Sequence, residues 1–384
     1  MIKLNKVLVL FLAALFSVPA FGAGGNTAGL LEKYSGFKEN LENDYGIMFG
    51  ASVSYMAQRA APSGKQTAWQ TMYFPYLEWN FLRDGSLGSG TLALSDIFVH
   101  YWGADAAALE ERIGVASYIN DYSENSNLFY RFTYSHTLPG AMDWLSVTFG
   151  QYSLFDFDGG AYNNDQQVSL INYAMSQNAA ATYPWASLGA YVTVAPFEGI
   201  EFSAGYQDAN NMSGKQLDAD TAFAGEYLGF AYAAYSKDDR YKYSFLTYYQ
   251  PSVEEQEQYS AGWSLNAEQS LSDKIVVFGR AAGTKNTPAQ IKNSFMLGMA
   301  YKDPLNRSEF DSIVLGASYN RLERANMEED AYYRTGETVA EVQWNFAPIE
   351  RLIITPDLQV FPRAGLSGSD SWVFVSSLRF TVVL

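Results

Sequence analysis

Residues 259–268 read Tyr-Ser-Ala-Gly-Trp-Ser-Leu-Asn-Ala-Glu, and this stretch decides the fold class. On an extended chain Tyr259, Ala261, Trp263, Leu265 and Ala267 share one side, and Ser260, Gly262, Ser264, Asn266 and Glu268 the other. A period of two marks a strand with unlike faces. The C-terminus repeats it, with Trp372, Phe374, Leu378, Phe380, Val382 and Leu384 opposite Ser377, Arg379 and Thr381. Residues 337–346 do the same, Thr338, Ala340, Val342, Trp344 and Phe346 alternating with Glu337, Val339, Glu341, Gln343 and Asn345.

Working outward, the pattern recurs over 45–59, 68–82, 90–102, 126–138, 143–153, 184–195, 198–208 and 222–236. It continues over 241–250, 258–269, 273–284, 291–302, 309–322, 335–347, 350–361 and 370–384. That makes sixteen segments, the even number bacterial outer-membrane barrels need, each long enough to cross at a tilt. Short turns such as Leu138-Pro139-Gly140, Pro196-Phe197-Glu198, Lys237-Asp238-Asp239 and Pro348-Ile349-Glu350 alternate with longer loops at 103–125, 154–183, 209–221 and 323–334. Barrels keep short turns on the periplasmic side and long loops outside. Aromatic residues gather at segment ends (Trp69, Tyr73, Tyr101, Trp102, Trp144, Trp185, Trp372), as two interfacial girdles require. We therefore expect an all-β, 16-stranded antiparallel transmembrane β-barrel over residues 45–384. A soluble lectin-like sandwich or jelly roll would also alternate, but has no reason to alternate its connections.

Composition narrows the function. The 384 residues suffice for two average domains or one large barrel, and 41 acidic against 25 basic residues give a net charge of −16. Such a balance argues against a nucleic-acid partner, which demands a basic surface. Without cysteine there are no disulfides, thiolate chemistry or cysteine-metal sites. Two histidines, His100 and His136, leave little scope for histidine catalysis.

Lys3 and Lys6 precede an unbroken apolar run from Val7 to Phe16, followed by the small residues Ala20 and Gly22. This is the pattern of a secretory signal, too short to span a bilayer as a helix. Cleavage after Gly22 is expected, taking the net charge from −16 to −18 as two lysines leave. Residues 23–44 then form a polar, helix-prone periplasmic lead-in.

The stretch Glu337-Thr338-Val339-Ala340-Glu341-Val342-Gln343-Trp344, leading into Thr355-Pro356-Asp357-Leu358-Gln359, resembles the C-terminal signature of the carbohydrate-selective porins, the OprB-like family. Phe149-Gly150-Gln151, Tyr183-Pro184-Trp185-Ala186-Ser187-Leu188-Gly189 and Gly205-Tyr206-Gln207-Asp208-Ala209 are similar too. The resemblance implies a sixteen-stranded outer-membrane barrel that passes sugars. The chain departs from the family in ending on Leu384 rather than phenylalanine, and in carrying Gln151 where many relatives have arginine.

Placing large apolar residues in lipid assigns their alternates to the lumen, since a midplane Arg or Lys on the lipid face costs about 2–4 kcal/mol. That phase puts Glu78 and Asn80, Asp96, Arg131, Glu201, Glu268, Arg280, Glu337, Glu341, Gln343, Asp357, Gln359 and Arg379 inward as pore-lining, substrate-contacting residues, with Tyr191, Tyr227 and Phe278 as inward aromatics. Arginine forks beside carboxylates and amides exchange hydrogen bonds with sugar hydroxyls. A constriction of Arg131, Arg280 and Arg379 is one expectation; a merely water-solvating wall is the other. Asp96 and His100 share a face, read as a lumenal polar pair, and His136 falls in the lipid phase. Asp156, Asp158 and Asp165 are weak calcium candidates, lacking the spacing of a dedicated loop.

The expectation is a passive carbohydrate channel without catalysis or cofactor, in the outer membrane of a Gram-negative bacterium. Its partners would be permeating sugars, outer-membrane lipid and lipopolysaccharide, and the barrel-assembly machinery, with homo-oligomerisation left open. The alternative is a general, weakly cation-selective porin for small hydrophilic solutes. A barrel-embedded lipase and an adhesive barrel are more distant rivals.

Overall fold

The computed structural model describes residues 27–62, 64, 66–238, 240–324, 333–349 and 351–384. The expected signal segment, 1–22, lies outside the described residues. Helix α1 (Thr27–Tyr45) occupies the lead-in. Then come strands β1 (Ile47–Ala61), β2 (Ala68–Gly85), β3 (Gly88–Tyr101), β4 (Ser126–Thr137), β5 (Leu145–Tyr152), β6 (Ser187–Phe197), β7 (Ile200–Asp208) and β8 (Tyr227–Lys237). The second half holds β9 (Tyr241–Gln250), β10 (Ser260–Ser270), β11 (Ile275–Lys285), β12 (Ile291–Lys302), β13 (Ser312–Leu322), β14 (Gly336–Ile349), β15 (Leu352–Phe361) and β16 (Val373–Val383). Two short helices, α2 (Ala106–Ile113) and α3 (Tyr173–Ser176), sit in the β3–β4 and β5–β6 connections.

Among the described residues the sixteen strands form one closed antiparallel barrel in sequence order, sealed by β1 on β16 from Ser52↔Val383 to Ala61↔Phe374. Closure pairs every edge, which is what lets a sheet span lipid. Each strand overlaps one segment read from the sequence. The largest difference is at β8, which starts at Tyr227 rather than 222. Asp208 accepts from Thr221 Oγ1 (2.6 Å) and Asn210 N (3.0 Å), while Ala209 N donates to Glu226 O (3.1 Å), folding that segment's first residues into a loop. The connections alternate as expected, with one inversion. The turn-side connection at 303–311 is longer than the loop-side one at 286–290.

Pleating sorts the side chains. In β10 Ser260, Ser264 and Asn266 are buried inward, while Trp263 and Leu265 are exposed on the outer wall. The interior is filled by the two long connections. Asp105 caps α2 by accepting from Ala108 N (3.0 Å), and Gly114 ends it in the left-handed region at φ 66°. Leu109, Ile113 and Ile119 then join one buried cluster with wall residues Ile97, Val99 and Tyr101. Leu170 and Met175 reach across to Val314 and Val339 in the same cluster. A Cβ on Gly316 would lie 2.7 Å from Leu170 Cδ1 and 2.8 Å from Met175 Sδ, so the wall is hollowed where the loop presses in. Fully burying each such apolar side chain contributes about 1.5–3 kcal/mol.

At the turn side α1 is clamped to the rim. Lys38 Nζ donates to Leu384 O (3.2 Å), Arg351 Nη2 to Ser35 Oγ (2.7 Å), and Arg83 to the carbonyls of Asn43 (2.6 Å) and Glu42 (2.8 Å). The terminal Leu384 exchanges backbone hydrogen bonds with Ala51.

Candidate permeation pathway

The inward polar residues of β10–β16 do not face open water. Glu337 accepts from Ala116 N (2.8 Å), Ser117 N (2.8 Å), Ser117 Oγ (2.6 Å) and Gly365 N (2.7 Å), fastening two loops to β14. Glu341 takes Ile171 N (2.6 Å) and Asn172 N (3.0 Å). Gln359 donates to Ile119 O (2.8 Å) and accepts from Asn172 Nδ2 (3.1 Å). Arg379 donates to the carbonyls of Gln166 and Ser169. Arg280 donates to those of Asp158 (3.1 Å) and Asn163 (2.5 Å), and Glu268 accepts from Ala161 N (2.8 Å). Asp357 accepts from Ser377 Oγ (2.9 Å) and stands opposite Gln343 in the ladder. Hydrogen bonds to charged groups contribute about 1.5–3 kcal/mol each, and here they are spent on loop backbone.

These residues face inward as the sequence phase requires, but all except Glu268 are almost fully buried, among them Arg280 (3% exposed) and Arg379 (1%). The expected three-arginine constriction therefore does not form at a water-filled surface. Only Arg131 of the three borders the open space.

That space is a cavity of about 820 Å³ against β2–β9, opening toward the short turns. Glu78, Glu198, Glu201 and Lys242 surround its mouth. Deeper in, Arg131 Nη2 pairs with Asp156 Oδ2 at 2.6 Å, and Tyr130 Oη donates to Asp156 Oδ1 at 2.9 Å. Both partners of the ion pair keep some solvent contact, at 31% and 25% side-chain exposure. Facing the pair is an aromatic wall: Phe157 lies 5.3 Å from Tyr191 and 5.1 Å from Tyr232, and Tyr152 lies 4.9 Å from Tyr191, ring centre to ring centre. Asp156 also borders a second cavity of about 100 Å³ toward the long loops, with Asp121, Asp165, Gln177 and Trp185. There burial pushes the Asp121 carboxyl up to about 8, and that of Asp165 upward as well.

Two further expectations, on Asp96 and Tyr227, are corrected. Asp96 is not lumenal: Thr91 and Ala93 line the large cavity and Ile97 the small one, so Asp96 shares the outer face with Phe98 and His100. The inward positions Ile97, Val99 and Tyr101 are apolar because they pack on the loop core, which inverts the polarity cue. Tyr227 likewise points outward, 40% exposed, because Leu228, Phe230 and Tyr232 turn in to meet Tyr152, Phe155 and Tyr183. The calcium candidates do not converge. Asp156 holds Arg131 and Tyr130, and Asp158 accepts from Ser264 Oγ (2.5 Å), Asn266 Nδ2 (2.8 Å), Asn178 Nδ2 (2.7 Å) and Tyr183 Oη (3.0 Å). Asp165 accepts from Gln167 N (2.8 Å). No metal-ligating cluster occurs among the described residues.

Tyr191, Glu78 and Glu201 are lumenal as read, and Phe278 is inward, stacked under Tyr162 at 5.5 Å. Sequence reasoning missed Tyr152, Phe157, Tyr232 and Lys242 as cavity residues, and it gave Asp156 no role beyond that of a weak calcium candidate. Strand phase does mark Lys242, which alternates with the outward Tyr243, Phe245 and Tyr249 of β9, but not Tyr232, whose strand is apolar on both faces. Phe157 and Asp156 lie on a loop, where no periodicity points to them.

A closed sixteen-stranded barrel with an apolar outer wall, long connections folded inward and a polar cavity beside them defines an outer-membrane barrel of the porin class. The chain belongs to the OprB family: residues 211–384 match "Carbohydrate-selective porin, OprB family", and curated relatives are porins. Porin AaxA of Chlamydia caviae is 36% identical over 305 residues, covering 79% of this chain and 67% of that protein. Porin AaxA of Chlamydia pneumoniae is 33% identical over 320 residues, covering 83% and 73%. This chain thus aligns with roughly two thirds of the length of such relatives. Pseudomonas putida OprB in its high-pH structure superposes with a TM-score of 0.72 at 13% identity, covering 92% of this chain and 97% of that one. Its low-pH structure gives 0.57 at 11% identity, covering 95% and 100%.

Proposed function

We propose that this porin passes carbohydrates by passive diffusion, and that the selective contact lies at Arg131–Asp156 opposite the Tyr152–Phe157–Tyr191–Tyr232 wall. The observation that carries the reading is that juxtaposition. A guanidinium and a carboxylate exchange hydrogen bonds with hydroxyls, while the rings accept the apolar face of a sugar. The family's description as carbohydrate-selective supports the same substrate class. Glu78 and Glu201 would meet solute at the mouth. Glu268, Arg280, Glu337, Glu341, Gln343, Asp357, Gln359 and Arg379 would shape the passage by holding the loops inside it. The chain would reach the outer membrane of a Gram-negative bacterium after losing residues 1–22, with the assembly machinery and lipopolysaccharide as its partners there.

A second reading, a general cation-preferring porin, is favoured by the charges around the large cavity. Glu78, Asp156, Glu198 and Glu201 face only Arg131 and Lys242. Swelling of liposomes carrying the wild-type barrel, in a panel of sugars and amino acids of matched size, separates the two. Faster entry of sugars supports the first reading. Equal entry, with a cation-selective reversal potential that fades in high salt, supports the second.

A further inference from the structure

On the outer wall near the long loops, a row of residues crosses four strands: Trp263 (β10) pairs with Gly283 (β11), Gly283 with Asn293 (β12), and Asn293 with Arg321 (β13). Gly283 leaves a notch. A Cβ there would overlap Asn293 Nδ2 and lie 3.2 Å from Trp263 Nε1, so an amide and an indole donor converge over bare backbone. Neither nitrogen has a hydrogen-bond partner among the described residues. Lys285, two residues along β11 on the same face, sits 5.9 Å from the Tyr259 ring, and Arg321 closes the far side; both are exposed. Neighbouring strands are about 4.8 Å apart, so the β11 and β13 backbones that carry these two long, exposed side chains stand roughly 10 Å from one another, on either side of β12. Trp263 Nε1, Asn293 Nδ2, Lys285 and Arg321 are donors or cations, and the neighbouring Glu323 carboxylate is paired with Lys292 Nζ at 2.5 Å.

Below the notch the outer face of β11 is small, Gly279 and Ala281, between Leu265 on β10 and Phe295 and Leu297 on β12. A shallow apolar channel therefore leads from the donor cluster into the hydrocarbon. The cluster lies at the level of Tyr249, Tyr259 and Tyr319, the belt where headgroups meet a barrel. An anion reaching the wall at this level meets two exposed cations and two donors without a hydrogen-bond partner among the described residues.

We propose that Lys285, Arg321, Asn293 and Trp263 hold the phosphate of an outer-leaflet glycolipid, one acyl chain lying along Gly279 and Ala281. This rests on the porin reading, which puts the long loops outside. The occupant is a lipid-borne phosphate because the apolar channel continues the site into the membrane. Delipidated full-length barrel is incubated with bis-phosphorylated lipid A, with the same lipid dephosphorylated, or with inorganic phosphate, and bound lipid is read by native mass spectrometry. Wild type should retain the phosphorylated lipid about thirtyfold better than the dephosphorylated one, as expected for two cations at a membrane surface. The double variant Lys285→Gln, Arg321→Gln should lose that preference while keeping wild-type conductance, since neither residue faces the lumen. Equal retention of both lipids by wild type overturns the proposal without using a variant. Displacement of the lipid by inorganic phosphate at equal concentration overturns the lipid source. Sugar-driven swelling is scored separately, so failure here leaves the channel reading standing.

Discussion

The two halves of this barrel use the same alphabet for opposite ends. Along β10–β16 the inward Glu, Gln and Arg side chains are buried and bind loop backbone, Glu337 alone gathering three backbone N–H groups and a hydroxyl. Along β4–β9 the lumenal charges keep solvent and border an open cavity, with Arg131 facing Asp156 rather than a carbonyl. An inward charge in a barrel is thus not evidence of contact with solute. What decides its role is whether a loop folds over it.

The comparison breaks first at Glu337. Glu337→Ala should free the β3–β4 loop, because each buried donor left unpaired costs about 1–3 kcal/mol. Single-channel conductance should rise and the melting temperature fall. Unchanged conductance would show that the loop is held by its apolar contacts alone.

Arg280 and Arg131 offer the sharpest contrast. Arg280→Ala removes the donor to two loop carbonyls and leaves Asp158 without its buried cation, a break that costs about 3–5 kcal/mol. It should lower stability and widen the pore. Arg131→Ala should instead reduce discrimination between a monosaccharide and an amino acid of similar size, with little change in melting. Identical swelling profiles for wild type and Arg131→Ala would remove the selective contact from this pair.

Asp121 tests the loop plug by pH. Its folded carboxyl is pushed up to about 8, whereas an unfolded aspartate titrates near about 3.9. The folded state therefore binds the proton more tightly, and stability falls as pH rises between those two values. The plug should be tighter at pH 5 than at pH 9, seen as conductance increasing with pH. Asp121→Asn should flatten that dependence, and an unaltered slope would locate the titrating group elsewhere.

Smaller effects are expected at the aromatic wall and on the lipid side. Tyr191→Ala should weaken sugar preference by about 0.5–1.5 kcal/mol in relative entry rates. Asp96→Leu should leave conductance untouched and raise stability slightly, because a carboxylate on the outer face disfavours insertion. A changed conductance there would return Asp96 to the lumen.

The strand count, the antiparallel order and most inward phases were legible because lipid outside and water inside force a period of two, visible residue by residue at Trp263/Ser264 and Phe380/Arg379. The phase of Asp96 and Tyr227 was not legible. Their strands are apolar on both faces, one against lipid and one against a loop, and periodicity carries no sign when both alternates are apolar. The pairing of Arg131 with Asp156 was equally hidden, since a carboxylate on a loop is placed by the loop's packing and not by any repeat. The barrel follows from the order of residues alone, through a local rule imposed on every strand by its solvent. Which inward charges border the open cavity and which are covered is a matter of long-range contacts, because it depends on where residues 102–125 and 153–186 come to rest, and their positions are set across the barrel, where no local pattern encodes them.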